Sequence, residues 1–357
     1  MKHTNSKQEY LSENVIASYK IGKDGENYWC RDIQFSSDGT QLAVIANSWF
    51  DTSNIKEIRI YNTSVSEEIK ACIRPNDEQT SIAFSPDGKK LVSGGDNKVV
   101  NLWDVDTGKL LKTFIGHTQK INGVVFSPDG HTVASGSQDG TVRFWDIFNA
   151  SHKYQQLIAP ITSIEFSNDG TILAAGVEFS REWMSGYSIY LWDVVNYNFL
   201  GSRMVHVGRS WGVNRATISP DIKTLATQMY GPVVFLWDIE SGGFKDSIEG
   251  DRYQYGCSPT CVAFSPDGKF LATGGGAYPC DRSPPDQSID NTVYLWDLNN
   301  YETIAKLKGH TRIVESIAFS PDGSILASVD RGGIVLLWDI YSIENNNTEE
   351  KPEKKSI

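Results

Sequence analysis

The stretch Gly116–Asp146, GHTQKINGVVFSPDGHTVASGSQDGTVRFWD, holds three short runs of alternating apolar residues: Ile121–Phe126, Thr132–Ala134 and Val142–Trp145. Pro128-Asp129-Gly130 separates the first pair and Gln138-Asp139-Gly140 the second. Asp-Gly flanked by alternating hydrophobics predicts a hairpin, because glycine supplies the positive φ that a tight turn needs. One such meander cannot bury both of its faces. The unit must therefore be repeated.

The repeat is present. The turn recurs as Phe35–Gly39 (FSSDG), Phe84–Gly88, Phe126–Gly130, Phe166–Gly170 (FSNDG), Ile218–Ile222 (ISPDI), Phe264–Gly268 and Phe319–Gly323. A closing Trp-Asp recurs at Trp103, Trp145, Trp192, Trp237, Trp296 and Trp338, and Tyr61-Asn62 stands in its place in the first unit. Seven turns alternate with seven closers, and successive turn anchors lie 40 to 55 residues apart. The pattern resembles the WD-repeat β-propeller family, whose repeats of about 40–45 residues each form a four-stranded blade. The resemblance covers roughly Glu13–Tyr341. It implies an all-β, seven-bladed β-propeller with four antiparallel strands per blade. Residues 1–12 are expected to be a flexible lead-in, 13–341 the propeller and 342–357 a disordered polar tail.

The last repeat ends at Trp338-Asp339-Ile340 with no fourth strand after it, whereas Asn14–Ile21 (NVIASYKI) reads as a strand that precedes the first repeat. The resemblance implies that this N-terminal strand closes the last blade and covers an edge that would otherwise invite aggregation. A length of 357 residues alone would suggest two or three domains, but blades that share interfaces form one unit. The net charge of −11 argues against a nucleic-acid binder held by a broad basic surface. Five scattered cysteines fit reduced thiols, and no apolar leader or long apolar run is present, so the expected compartment is the cytoplasm.

His117, Ser135, Asp139 and Trp145 fall where the family builds a buried hydrogen-bond relay. Their types would also suit a nucleophilic triad. The set thins from blade to blade: the seventh keeps His310, Ser328 and Trp338 with Gly332 at the aspartate position, and the second has Pro75 and Asn97. Diluted copies point to a stabilising role, since buried indole N–H groups need acceptors.

Departures from the repeat point elsewhere. From turn Phe to closing Trp the regular spacing is 19 residues, but it is 26 in the first and fourth units and 32 in the sixth. Each excess lies between the second and third strands: Asn47–Asn54, Glu178–Gly186 and Gly275–Asn291. The resemblance places these loops on the face that also carries the connections entering each inner strand. On that face the expected partner-binding residues are Trp49, Phe50, Arg181, Trp183, Tyr187, Arg209, Trp211, Arg252, Tyr253, Tyr255, Tyr278 and Arg282, with Tyr28 and Trp29 in the first connection. Trp, Tyr and Arg are the types enriched at binding hot spots. The alternative is that each ring plugs its own loop.

Cys257, Cys261, Cys280 and Asp281 are spaced too loosely for a zinc site, so no metal or other cofactor is expected. The chain has no GxxxxGK[ST], HExxH or GxSxG motif. The resulting expectation is a non-enzymatic scaffold that binds a protein or peptide, with membership of a larger complex open. A small-ligand sensor using the same aromatic mouth is the alternative. Neither nucleic acid nor membrane is an expected partner.

Overall fold

A computed structural model describes residues 14–21, 28–48, 56–64, 69–149, 152–157, 159–177, 187–194, 198–205, 211–230, 233–249, 257–277 and 291–349. Its strands form seven antiparallel sheets arranged as consecutive blades. The third blade is typical, with an inner strand Ile121–Phe126, then Thr132–Ser137, Thr141–Asp146 and an outer strand His152–Gln156. The inner strand of the first blade is broken. Tyr28–Trp29 and Ile33–Phe35 both pair with Gln41–Ser48, so Cys30 and Arg31 leave the ladder, while the Asp32 carbonyl still accepts the Ile45 N–H at 3.0 Å.

Val15–Lys20 pairs antiparallel with Ile334–Asp339 and completes the last blade. Tyr19 and Ile21 become buried in this closure, and the Tyr19 ring stacks on Tyr61 at 5.1 Å. Tyr61 is the residue that stands where other blades carry tryptophan.

The core follows from the ring. Buried apolar side chains fall into seven clusters, each built from two neighbouring blades. Each blade thus buries one face on the blade before it and one on the blade after, which a single blade could not do alone. Side chains beside the channel stitch the seams as well. Thr80 donates to the Ile121 carbonyl at 2.5 Å, Asn122 to that of Ile161 at 2.7 Å, and Thr260 to that of Val314. The equivalent Thr162 hydroxyl is buried without a hydrogen-bond partner.

One end of the ring is built from seven copies of a single turn. In each, the serine hydroxyl donates to the aspartate two residues on at 2.5–2.7 Å. The same serine oxygen accepts the N–H that opens the next strand at 2.9–3.0 Å. Six turns place glycine at φ 66–74°, and the fifth forces Ile222 to φ 60°. A β-branched residue is strained there.

The expected disorder over 342–357 is corrected for its first part, since Ile340–Glu349 forms an α-helix, while 350–357 lie outside the described residues. Tertiary contacts hold the helix. Ile340 and Ile343 are buried in the cluster between the sixth and seventh blades, Asp339 accepts the Ser342 N–H at 2.9 Å as an N-cap, and Lys269 pairs with Glu344 at 3.0 Å.

Candidate functional site

Antiparallel order fixes which loops share an end. The turn from inner to second strand and the turn from third to outer strand lie at one end of the blade. The loop from second to third strand, and the connection entering the inner strand, lie at the other. The three insertions therefore follow Gln41–Ser48, Ile172–Val177 and Phe270–Ala277 at the end opposite the Ser-x-Asp turns. We call this the insertion end.

Polar residues near this end meet between the strands of one blade. In the third blade Trp145 Nε1 donates to Ser135 Oγ at 2.8 Å, and Ser135 Oγ lies 2.7 Å from His117 Nε2. His117 Nδ1 lies 3.0 Å from Asp139, which also accepts the Thr118 N–H at 2.8 Å. This order assigns the Nδ1–H tautomer, so that every donor finds an acceptor. Burial lowers the pKa of His117 while Asp139 pulls it back up. Burial also opposes ionisation of Asp139, but hydrogen bonds from Thr141 and the Thr118 N–H outweigh it and hold the carboxyl below its ordinary range. The geometry matches a Ser-His-Asp triad, yet Ser135 is 0% exposed and its oxygen already accepts the indole N–H. No substrate carbonyl can reach it.

The seventh blade keeps three members of the set and brings a different carboxylate close to the fourth place. His310 Nε2 lies 2.6 Å from Ser328 Oγ, and Trp338 donates to the same oxygen at 2.8 Å. His310 Nδ1 sits 3.2 Å from Asp330, a carboxylate two residues before the Gly332 position, but the alignment is poor and neither atom makes a hydrogen bond. In three further blades the last link is present among the described residues. Trp103 donates to Ser93, Trp237 to Thr227 and Trp296 to Thr273, all at 2.9–3.0 Å.

The channel is polar. Asp32 accepts the N–H groups of Ile33 at 3.0 Å and Ile82 at 3.1 Å, together with the Ser316 hydroxyl at 3.1 Å, tying the first blade to the second and seventh. Burial raises its pKa, and the Arg215 guanidinium and these hydrogen bonds moderate the rise. Arg215 belongs to the fifth blade, yet its Nη2 donates to the Arg31 carbonyl at 3.4 Å. Blades five and one are not neighbours, so this bond spans the channel. Glu165 accepts from Thr217 at 3.1 Å, and desolvation pushes its carboxyl up to about 7.

Of the twelve partner-binding candidates, Tyr187 and Trp211 lie on described backbone. Tyr187 begins the strand Tyr187–Asp193 and Trp211 begins Trp211–Ile218, which puts both at the insertion end of adjacent blades. Trp49, Phe50, Arg181, Trp183, Arg209, Arg252, Tyr253, Tyr255, Tyr278 and Arg282 lie outside the described residues. So do Cys280 and Asp281, whereas Cys261 is a buried free thiol whose pKa burial pushes up to about 12. Among the described residues no group of three His, Cys, Asp or Glu could hold a metal ion, and no helix is long and apolar enough to cross a membrane.

A cluster that the sequence reading did not assemble lies at the same end, between the first and last blades. The Arg31 guanidinium carbon lies 3.9 Å from the centroid of the Trp29 ring, and that of Arg331 lies 5.1 Å from it. Arg331 donates to Glu315. Trp29 was visible as an unusual entering residue. Arg331 and Glu315 stand some 300 positions away in the sequence, and only ring closure makes them its neighbours.

The "WD domain, G-beta repeat" family model matches residues 70–104, 108–146, 253–297 and 301–339. Each match ends at a Trp-Asp closer. The unmatched closers belong to the first blade, with its tyrosine, and to the fourth and fifth, with their insertion and irregular turn. The chain is 27% identical over 320 residues to the WD repeat-containing protein 26 homolog of Drosophila melanogaster, covering 88% of this chain and 46% of that protein. It is 30% identical over 133 residues to Pre-mRNA-processing factor 19 homolog 2 of Arabidopsis thaliana, covering 37% of this chain and 22% of that one. Against Small ribosomal subunit protein RACK1y of Oryza sativa subsp. japonica the identity is 36% over 81 residues, covering 23% and 21%. The chain thus spans less than half the length of each of these relatives.

Proposed function

We propose that this chain, a WD-repeat β-propeller, is a non-enzymatic scaffold that recruits a protein or peptide partner at the insertion end of its ring. The observation that carries the reading is the concentration of departures from the repeat at that end. Three insertions rich in aromatics and arginine follow strands whose opposite ends are nearly identical turns. Loops on a rigid scaffold are where binding residues accumulate, because the scaffold bears the folding energy and leaves the loops free to vary. The Ser-His-Asp sets support a stabilising role over catalysis, since each is buried beneath a tryptophan. Relatives named for a ribosomal subunit and for pre-mRNA processing support work within a larger complex. The free thiols of Cys30, Cys72 and Cys261 support a reducing compartment, the cytoplasm.

The test is affinity capture from native lysate with wild type and a Trp183→Ala/Trp211→Ala/Tyr253→Ala triple variant. A protein retained by wild type and lost from the triple variant, with the melting temperature within a few degrees, is the expected result. Loss of fold in the variant would mean that those rings are structural plugs.

A further inference from the structure

At the insertion end, the Arg31 guanidinium is the group whose chemistry is left unfinished. Its guanidinium carbon sits over the Trp29 ring, 3.9 Å from the centroid. A guanidinium engaged with a ring face through cation–π attraction still has in-plane N–H donors to offer. Among the described residues none of these donors makes a hydrogen bond or ion pair. The nearby carboxylates are committed or distant: Glu315 is taken by Arg331, Asp96 pairs with Lys120 at 2.6 Å, and Glu78 acts on Arg31 through space only. Burial opposes the charge on Arg31, and these carboxylates compensate it in part. None of these donors is among the buried unsatisfied atoms, so they remain open to solvent and available to an incoming acceptor.

The position suits a ligand site. The Arg31 carbonyl is held from across the channel by Arg215, which fixes this segment at the channel wall. The break in the ladder between Tyr28–Trp29 and Ile33–Phe35 releases Arg31 from strand pairing. Arg331 adds a second cation on the same indole and arrives from the loop between the second and third strands of the last blade. Both cations therefore stand at the insertion end, where the first and last blades meet.

We propose that Trp29, Arg31 and Arg331 form an anion-recognition site at the channel mouth that takes a side-chain carboxylate of an acidic peptide segment. The guanidinium fork of Arg31 accepts the carboxylate in a bidentate pair, Trp29 holds the fork in place, and Arg331, tethered by Glu315, supplies the flanking charge. The site rests on the scaffold reading and specifies the partner's chemistry: the docked segment carries Asp or Glu. The overall charge of −11 then works as a filter. Acidic segments are repelled from the surface generally and are held only where open guanidinium donors can bind a carboxylate.

The probes are rhodamine-labelled eight-residue peptides of alternating Gly and Glu, the same peptide with Gln for Glu, and the same with phosphoserine for Glu. Binding is read by fluorescence anisotropy at low salt. The variants are Arg31→Gln, Arg31→Lys and, as an equal loss of charge at the opposite end, Lys89→Gln. The Glu peptide should bind wild type and Lys89→Gln alike, Arg31→Gln at least tenfold more weakly, and Arg31→Lys in between, because lysine keeps the charge and loses the fork. The Gln peptide should bind no variant measurably. Melting curves of all proteins should agree within a few degrees. If Arg31→Gln unfolds, the same series on Arg331→Gln must show at least a threefold weakening. Equal binding of the Glu peptide by wild type and the Arg31 variants would overturn the proposal, as would binding of the Gln peptide or of the phosphoserine peptide alone. Such a result leaves the scaffold reading standing if the triple variant still loses its captured partner, so the two failures are distinguishable.

Discussion

The two ends of the ring are made from the same strands and differ in almost everything else. At the turn end, seven Ser-x-Asp turns share one hydrogen-bond pattern, and side-chain and backbone bonds hold all seven aspartates below their ordinary pKa. At Asp38, Asp87, Asp129 and Asp322 the serine hydroxyl is the main cause. At Asp169, Asp221 and Asp267 partial burial opposes ionisation and is outweighed. At the insertion end the blades differ. Among the described residues the third carries a complete relay, the seventh one without a hydrogen bond to its carboxylate, and the second, fifth and sixth a tryptophan bond. The sequence adds insertions to the first, fourth and sixth. Uniformity marks where the fold is specified, and diversity marks the end proposed for partner recognition.

The sharpest way to break this division is to open the ring. Deleting residues 1–21 removes the Val15–Lys20 strand and uncovers surface against which Tyr19 and Ile21 are buried. Each buried side chain is worth roughly 1.5–3 kcal/mol, so the expected loss is on the order of 5 kcal/mol. The melting temperature by circular dichroism should fall by roughly 10 °C or more, and an unchanged value would refute closure as the source of stability.

Within one blade, His117→Ala removes one partner from Ser135, which keeps the Trp145 indole, and one from Asp139, which keeps Thr118 and Thr141. It should cost about 1–3 kcal/mol in denaturant unfolding and leave partner capture unchanged. If capture were lost with stability intact, the relay would belong to the binding surface.

Titration separates the turns from the channel. The turn aspartates have depressed pKa values, so their contribution is present above the unfolded value near 4 and is lost as the pH falls through the folded values. Glu165 has the opposite sign. Its folded value of about 7 lies above the unfolded one, so its contribution is present in acid and fades as the pH rises toward 7. Wild-type stability should therefore drop steeply below about pH 4, and from pH 5 to 7 the Glu165 contribution should decline against the rise given by His117, whose lowered pKa has the opposite effect. Glu165→Gln should make the slope between pH 5 and 7 more positive than that of wild type and keep the acid drop. A variant curve that parallels wild type between pH 5 and 7 would exclude a Glu165 contribution there.

The smallest effect concerns the seams. Thr80→Val removes a hydroxyl bonded across to the third blade and should destabilise by about 1 kcal/mol. Thr162→Val removes a buried hydroxyl that has no partner and should be neutral or stabilising by up to about 1 kcal/mol. Equal losses from both would mean that the two seams are bonded alike.

Much of the fold was legible because its signals are local. The Asp-Gly turns and Trp-Asp closers each fit within a few residues, and the unpaired Asn14–Ile21 strand matched the missing fourth strand of the last blade. What escaped depends on distance or on a small shift. Asp330 stands two places before the expected aspartate and is recognisable only once His310 lies 3.2 Å from it. The helix Ile340–Glu349 has an Asn-rich sequence and forms because Ile340 and Ile343 find a cleft between two blades. Its one local signal was Asp339 as an N-cap ahead of apolar residues spaced by three. The Trp29–Arg31–Arg331 cluster joins the two ends of the repeat array, so nothing short of ring closure could reveal it.

The most direct test of the division between the two ends is quantitative partner capture, per mole of folded protein, by Asp129→Ala at the turn end and the Trp183/Trp211/Tyr253 triple alanine at the insertion end. Asp129→Ala should melt at a lower temperature and capture as much partner as wild type, whereas the triple variant should melt within a few degrees of wild type and capture none. Equal capture by the two variants would contradict the assignment of building to one end of the ring and recognition to the other.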